Sequence, residues 1–235
     1  MLQFVLMVGS LEVIIDMQEN ELQVKSKQRV TDHGEVYTSA REVNAMLDLV
    51  KQETERIESR FLEPACGDGN FLIEVLRRKL EVVKKRYEKN QIEYERYSIL
   101  ALSSIYGIDI LEDNTIACRN RLFLFFKSEY EDIYKSATKE EYLKSAQYIL
   151  SKNIVWGDAL TLHSVCGKKE PIVFCEWSPV NGSMMKRRDF SFHELLFQSE
   201  NNAMPLFSDA GEDVFIPEPV KEYPLIHFMR LYDAE

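Results

Sequence analysis

The sequence predicts a mixed α/β fold with a mainly parallel sheet flanked by helices. Short apolar runs at 61–63, 105–110, 153–156 and 172–175 are typical of buried strands, and stretches with helical periodicity separate them. Strands that alternate with helices indicate βα units, in which each helix leads back across the sheet to the next parallel strand. The length of 235 residues suits one sizeable core.

The first helix is predicted over 40–57. Ser39 and Glu42 have the spacing of a capping box, in which each side chain accepts a hydrogen bond from the other residue's backbone amide. Apolar residues follow at 43, 46, 47 and 50, so one face of this helix is expected to be buried. Further helices are predicted to begin near 70 and to span 112–127, 139–151 and 190–198. The stretch 81–97, rich in Lys, Glu, Arg and Tyr, is expected to form a solvated helix or pair of helices.

The domain prediction divides the chain into three parts. Residues 1–30 are an N-terminal extension, in which 3–8 and 11–15 are interpreted as a strand pair around Gly9 and Ser10. Residues 31–200 form the core. Residues 201–235 hold four of the seven prolines and are expected to be an irregular tail, wrapped on the core or on a partner.

The composition indicates the cellular compartment. No segment approaches the roughly 20 apolar residues that a membrane span requires. The chain's start lacks the basic residues and small-residue cleavage site of a leader peptide. The four cysteines and four histidines are scattered, without the paired spacing of zinc sites. These features predict a cytoplasmic protein with reduced cysteines, no metal and no membrane partner.

The charge bears on nucleic-acid binding. The net charge is −10, whereas a protein that holds DNA by itself normally presents a basic surface. The clearest basic cluster, 186–188, is interpreted as a solvated turn. If DNA is a partner, another domain or subunit is expected to supply most of the positive charge.

The stretch 61–72 reads Phe-Leu-Glu-Pro-Ala-Cys-Gly-Asp-Gly-Asn-Phe-Leu, a buried strand that leads through a glycine-rich turn into a helix. Gly67 and Gly69 allow turn geometries and close approach to a ligand. The free amides at the helix start would then face the bound group. The alternative is a tight turn without a ligand.

This stretch resembles the first motif of amino-methyltransferases. Its Pro-Ala-Cys-Gly is characteristic of the DNA adenine-N6 methyltransferases of restriction-modification systems. The resemblance implies a Rossmann-like class I methyltransferase fold and S-adenosylmethionine as cofactor. It also implies cofactor contacts from Glu63, Pro64, Ala65, Cys66, Gly67, Gly69, Asn70 and Phe71.

The segment upstream of this motif, 33–38, reads His-Gly-Glu-Val-Tyr-Thr. It is similar to the Gly-Glu-Val-Phe-Thr-Pro segment of the same enzymes, although Ser39 stands in place of the proline. The resemblance implies that Tyr37 and Thr38 lie beside the methionine part of the cofactor.

Two acidic residues downstream match later motifs. Asp109 ends the run Ile-Tyr-Gly-Ile-Asp, and a carboxylate at the end of a strand can accept hydrogen bonds from both ribose hydroxyls. The resemblance assigns that role to Asp109 and places Ile110 on the adenine ring. It assigns the adenine amine to Asp158, with Ala159 beside it. Taken alone, Asp109 would belong to a core strand and Asp158 would be a turn acid or a helix cap.

The catalytic motif of the family is Asp/Asn/Ser-Pro-Pro-Tyr/Phe, directly after the fourth strand. Its polar side chain and a proline carbonyl align the target amine, and its aromatic ring stacks on the flipped base. Ser178 and Pro179 match the first half of this motif, but the second proline and the aromatic residue are missing. Glu176 is either an acceptor or a strand cap, and the alternative for the whole segment is a strand that leads into a turn.

Two functional hypotheses remain. The first is a DNA adenine-N6 methyltransferase that works on DNA with help from a partner subunit or domain of a restriction-modification system. The second is a catalytically inactive subunit that keeps the cofactor site and has a regulatory or structural role. Methylation of RNA or protein has less support, because Pro-Ala-Cys-Gly favours DNA.

Overall fold

The computed structural model describes residues 4–6, 29, 38–201 and 218–234, and it confirms a mixed α/β protein. The helices are α1 (Ala40–Leu49), α2 (Lys51–Thr54), α3 (Asn70–Tyr87), α4 (Gln91–Ser103), α5 (Glu112–Tyr134), α6 (Glu140–Asn153) and α7 (Phe192–Asn201). The strands are β1 (Phe4–Leu6), β2 (Arg60–Glu63), β3 (Ile105–Asp109), β4 (Ile154–Asp158), β5 (His163–Ser164), β6 (Val173–Asn181), β7 (Met184–Ser191), β8 (Lys221–Glu222) and β9 (Ile226–His227). Short 3₁₀ turns occupy Lys135–Ala137 and Phe228–Asp233.

The first sheet has the order β1-β2-β3-β4-β5. Neighbouring strands from β1 to β4 are parallel, and β5 joins β4 in antiparallel orientation. Strand β1 comes from the predicted N-terminal extension and lies beside β2. The partner strand predicted over 11–15 lies outside the described residues.

The second sheet corrects the prediction for the fourth strand. Strand β6 does not extend the parallel sheet; it pairs with β7 as an antiparallel hairpin, and β7 also pairs with β8 and β9. A connection as short as the one between β6 and β7 can only join antiparallel strands, because a parallel crossover needs a dozen or more residues. Gly182 provides the positive φ of 54° at this turn.

The two faces of the first sheet have different neighbours because successive side chains of a strand point to opposite sides. Phe61 and Ile105 belong to the main core, which includes buried residues of α3, α4, α5 and α6. Leu62, Tyr106 and Ile108 face the other way and pack with Ile172, Phe174 and Phe192. The start of the hairpin and of α7 therefore covers the face opposite the main core.

The predicted capping box is confirmed at the start of α1. The Ser39 hydroxyl accepts a hydrogen bond from the Glu42 amide at 3.4 Å, and the Glu42 carboxylate accepts one from the Ser39 amide at 3.0 Å. The predicted helix over 40–57 is interrupted at Val50, where the backbone leaves helical geometry with φ −118° and ψ 31°. A short helix, α2, follows.

The charged stretch 81–97 forms the end of α3 and the start of α4, so the pair of helices is confirmed. The expectation that it is solvated is wrong for α4, where Tyr94 and Glu95 are buried. The Glu95 carboxylate accepts hydrogen bonds from the Tyr130 hydroxyl at 2.5 Å and from the Lys139 ammonium at 2.8 Å. These partners satisfy the buried charge, so a polar sequence is compatible with a core position.

The basic cluster at 186–188 is not a solvated turn but lies within β7. Arg187 is 4% exposed, forms two bonds of 2.8 Å with Asp189, and lies 4.1 Å from the ring centre of Tyr223. It also donates to the Ala234 carbonyl at 2.8 Å, so the C-terminal segment packs on the core through this arginine. Arg188 is paired with Glu176 at 2.7 Å. Arg187 is thus buried and Arg188 is half-buried, and both are paired with carboxylates of the fold.

A buried lysine joins the elements that carry the glycine-rich turn. The Lys79 ammonium, on α3, donates to the Ile57 carbonyl at 3.0 Å, to the Ser104 hydroxyl at 2.6 Å and to the Ser59 carbonyl. Burial lowers the pKa of Lys79 to about 7. Helix α3 is therefore tied to the residues just before β2 and β3.

Of the helices that the structure describes, none has the length and apolar character needed to cross a membrane.

Candidate functional site

Three acidic residues lie along one edge of the first sheet. Strand β2 ends at Glu63, β3 at Asp109 and β4 at Asp158. Because these strands are parallel neighbours, their carboxyl ends meet at the same edge. In open α/β sheets this is the edge where ligands bind.

The glycine-rich turn connects the end of β2 to α3 and is bonded to β3. The Cys66 amide donates to the Ile108 carbonyl at 2.9 Å, and the Gly69 amide donates to the Cys66 carbonyl at 2.9 Å. Gly67 and Gly69 have φ angles of 53° and 93°, in the left-handed region that side chains disfavour. The predicted turn is present, and its geometry requires glycine.

Packing adds a second reason for the glycine at 69. A Cβ atom on Gly69 would lie 2.8 Å from the Cys118 sulfur of α5, which is closer than such atoms approach. The sequence predicts that these glycines allow turn geometries and close approach to a ligand. At Gly69 the close approach is that of α5.

The start of α3 has no side-chain cap among the described residues. Gly69 is the N-cap residue. Arg121 on α5 instead holds the two flanking polar residues, Asp68 at 3.2 Å and Asn70 at 2.5 Å. Uncapped amides at a helix start, together with the helix dipole, favour a carboxylate or phosphate there.

Asp109 connects the glycine turn to α5. One of its carboxylate oxygens accepts from the Gly67 amide at 2.8 Å. The other accepts from the Leu111 amide at 2.8 Å and from the Asn114 side-chain amide at 3.3 Å. Asp109 is 7% exposed, so its orientation is set by these donors.

Glu63 has an unusual acidity for a glutamate. Burial raises the pKa of its carboxyl group to about 7, although a hydrogen bond from the Ala65 amide acts in the opposite direction. Its ionisation is therefore poised near neutral pH. Perturbed carboxyl groups in a cleft are common at functional sites.

Cys66 is buried beneath the turn. Its sulfur lies 3.0 Å from the position that a Cβ on Gly107 would take. A hydrogen bond with the Cys118 thiol and burial raise the pKa of Cys66 well above its usual value, so the group stays a neutral thiol. Phe71 is also buried, whereas Ala65 is exposed and Pro64 and Asn70 are half-buried.

The residues after β3 and β4 form an apolar rim beside Asp158. Ile110 is 46% exposed and Leu160 is 95% exposed. Trp156 fixes the backbone there, because its indole N–H donates to the Ile110 carbonyl at 3.0 Å. Ala159, between Asp158 and Leu160, is half-buried.

Asp158 also has a local structural role, as the turn-acid alternative predicted. Its carboxylate accepts from the Leu160 amide at 2.9 Å and from the Thr161 hydroxyl at 3.0 Å. Partial burial raises the pKa of Asp158, but these bonds outweigh it and the net shift is downward. Asp158 is thus ionised, and the turn that follows β4 fixes the orientation of its carboxylate.

The upstream segment is described only from Thr38 onward, so Tyr37 lies outside the described residues. The Thr38 carbonyl accepts from the Asn70 side-chain amide at 3.5 Å. This contact places Thr38 beside the start of α3.

Ser178 and Pro179 are not brought to this edge. They lie in β6, where Ser178 pairs with Lys186 of β7 and accepts a bond of 3.4 Å from Arg188. Glu176 is 5% exposed and is paired with Arg60 at 2.6 Å as well as with Arg188, so it joins the two sheets rather than facing a substrate. The hairpin takes these residues away from the carboxyl end of the parallel strands.

A cleft of about 690 Å³ lies elsewhere, between α1, α2 and α3. Its described lining is mainly charged and shares no residue with the predicted site. Several of its charges already pair with one another: Arg77 with Glu74 at 2.6 Å, and Arg78 with Asp48 at 2.9 Å. We therefore give more weight to the sheet edge, where the turn and the acidic residues converge.

Sequence reasoning missed four residues that shape the site: Arg29, Asn114, Arg121 and Trp156. None lies in the glycine-rich pattern, and nothing in the sequence marks the contact that Trp156, at the end of the predicted strand 153–156, makes with Ile110. Asn114 and Arg121 follow Asp109 on a helix that the pattern did predict, and this is the only signal that the sequence offers for them.

Comparison of the chain with protein-family models, curated proteins and solved structures gave no match. Within the ranges that the structure describes, no group of three or more His, Cys, Asp or Glu residues is placed to hold a metal ion. The function is therefore argued from the sheet edge itself.

The packing at Gly69 leads to a stability prediction. Gly69→Ala is expected to lower the free energy of unfolding by about 2–4 kcal/mol, because it adds a clash to the strain of a positive φ. The matched control is Gly182→Ala, which has a positive φ of 54° but no atom within 4 Å of the new Cβ. We expect it to cost only about 1 kcal/mol in urea denaturation.

A double variant separates the two causes. In the Cys118→Ala background, the excess cost of Gly69→Ala over Gly182→Ala should shrink. Equal costs for the two glycine substitutions in the wild-type background would show that the approach of α5 does not constrain the turn.

Proposed function

We propose that this chain binds S-adenosylmethionine along the carboxyl edge of β2, β3 and β4, as the cofactor-binding part of a DNA adenine-N6 methyltransferase with a Rossmann-like fold. The observation that carries the proposal is the convergence of Glu63, Asp109 and Asp158 with the glycine-rich turn at one edge. The resemblance of 61–72 to the first methyltransferase motif supports the same choice.

The residues at this edge fit the parts of the cofactor in order. The uncapped start of α3 suits the carboxylate of the methionine part, and Glu63 suits its ammonium group. Asp109 suits the ribose hydroxyls, which would share its carboxylate with the Gly67 and Leu111 amides and the Asn114 side chain.

The adenine end has a matching environment. Ile110 and Leu160 offer exposed apolar side chains for the faces of a ring, and the ionised Asp158 can accept a hydrogen bond from an exocyclic amine. When bound, S-adenosylmethionine supplies an electrophilic methyl group. In this proposal the chain's own residues at this edge bind the cofactor and take no part in the transfer of the methyl group.

The two functional hypotheses differ in the step after cofactor binding. Ser178 and Pro179 lie in the hairpin, and the second proline and the aromatic residue are missing. This favours a chain that holds the cofactor while another subunit or domain recognises the flipped base. The alternative is an inactive regulatory or structural subunit. The placement of Ser178 fits this alternative equally well, and the two hypotheses differ in whether a partner supplies the catalytic motif.

Cofactor binding should depend on pH through Glu63. With a pKa of about 7, the carboxyl group is mostly neutral at pH 6 and mostly ionised at pH 8. A cationic amine favours the ionised form, so affinity for S-adenosylhomocysteine should rise by about tenfold between these pH values. Calorimetric titration measures this change.

The Glu63→Gln variant should bind more weakly at pH 8 and lose the pH dependence between pH 6 and pH 8. Glu55→Gln, an exposed glutamate just after α2, is the control and should keep the wild-type profile. No binding of S-adenosylhomocysteine at either pH would refute the proposed function. Binding with the same profile in Glu63→Gln would refute only the role of Glu63.

The chain alone is not expected to methylate DNA. The incomplete motif provides neither alignment of the target amine nor a stacking ring, and base flipping costs a few kcal/mol that a recognition surface must offset. The chain has 39 acidic against 29 basic residues, and Arg187 and Arg188 are paired with carboxylates of the fold. Little positive field remains for a duplex.

Incorporation of labelled methyl groups into mixed-sequence DNA tests this expectation, with Ser178→Ala as the matched variant. We expect background incorporation from both proteins while S-adenosylhomocysteine still binds. Turnover by the wild type that disappears in Ser178→Ala would establish Ser178 and Pro179 as a working catalytic motif.

A further inference from the structure

The carboxylate of Asp109 is connected to a residue distant in sequence. Asn114, in the first turn of α5, is 1% exposed and donates its side-chain amide to Asp109 at 3.3 Å. Its amide oxygen accepts from the Arg29 guanidinium at 3.2 Å. Arg29 also forms a two-point pair with Asp113, with distances of 2.7 and 3.1 Å.

These contacts fix which way the amide of Asn114 points. Its oxygen faces a cation and its NH₂ group faces a carboxylate, so both ends are in favourable electrostatic surroundings. The reverse orientation would place the NH₂ group against the guanidinium and the oxygen against the carboxylate. Burial of Asn114 makes that arrangement costly, because water cannot replace the lost bonds.

We propose that Arg29 is a positioning residue that fixes the direction of the Asp109 carboxylate through the amide of Asn114. The inference rests on the proposed function, since it assigns Arg29 to the ribose end of the same cofactor site. Arg29 itself does not touch the cofactor. Its guanidinium holds Asn114, and Asn114 donates to the Asp109 oxygen that also accepts from the Leu111 amide. The Gly67 amide holds the other oxygen.

The test compares two ligands that differ only at the ribose. Wild-type protein is titrated with S-adenosylhomocysteine and with its 2′,3′-dideoxy analogue, which lacks the hydroxyls that Asp109 would hold. We expect the wild type to prefer S-adenosylhomocysteine by roughly tenfold or more. In Arg29→Met this preference should fall to about threefold or less, while affinity for the dideoxy analogue stays the same.

A double variant tests whether Arg29 acts through Asn114. Asn114→Ala should reduce the preference as Arg29→Met does, and the combination should reduce it no further. Arg230→Met is the matched control, because it breaks an exposed arginine–aspartate pair at 2.7 Å on the C-terminal segment. Circular dichroism shows whether each variant folds. If Arg29→Met does not fold, the ligand preference of Asn114→Ala tests the inference.

The outcomes separate the inference from the proposed function. If the wild type does not bind S-adenosylhomocysteine, both are wrong. If it binds without a preference between the ligands, Asp109 does not hold the ribose and the inference fails. Equal weakening of both ligands in Arg29→Met would show a general structural role, and an unchanged preference would show no role; either result overturns the inference while the proposed function stands.

Discussion

The buried carboxylate of Asp109 is the contact on which the geometry of the candidate site depends. It ends β3, receives the Gly67 amide from the turn after β2, and receives the Leu111 amide at the start of α5. Hydrogen bonds to a charged acceptor are stronger than neutral ones, and a buried carboxylate without them would be costly. One side chain therefore fixes the position of the glycine turn relative to the neighbouring strand and helix. The close approach of Cys118 to Gly69 holds the same turn from the α5 side.

Buried charges elsewhere are used to join the second sheet to the first. Glu176 pairs with Arg60 of β2 and Arg188 of β7, and Arg187 ties the hairpin to Tyr148 and to the C-terminal segment. Removing one member of such a pair leaves an uncompensated buried charge, which lowers the stability of the fold. These pairs also engage Arg187 and Arg188 of the basic cluster, which would otherwise be the best candidate for binding phosphates. Under the proposed function, the acidic balance of the chain and the pairing of these arginines leave the binding of DNA to a partner.

Local patterns were sufficient to predict the elements that carry the site. The capping box at Ser39, the strands that end at Glu63 and Asp109, and the glycine turn are each specified by a few neighbouring residues, so the sequence displays them directly. The sequence does not predict the hairpin because two of the buried residues of β7, Arg187 and Asp189, are charged, so the strand does not show an alternation of apolar and polar residues. The connection from Arg29 to Asp109 spans about eighty residues and depends on one amide orientation, which no local pattern encodes.

A crystal structure of the chain with S-adenosylhomocysteine tests the location of the site most directly. We expect the ligand to lie along the carboxyl edge of β2, β3 and β4, with its ribose hydroxyls on Asp109, its carboxylate at the start of α3 and its adenine between Ile110 and Leu160. A ligand in the charged cleft between α1, α2 and α3, or one that leaves Asp109 without a ribose contact, would contradict the proposed site.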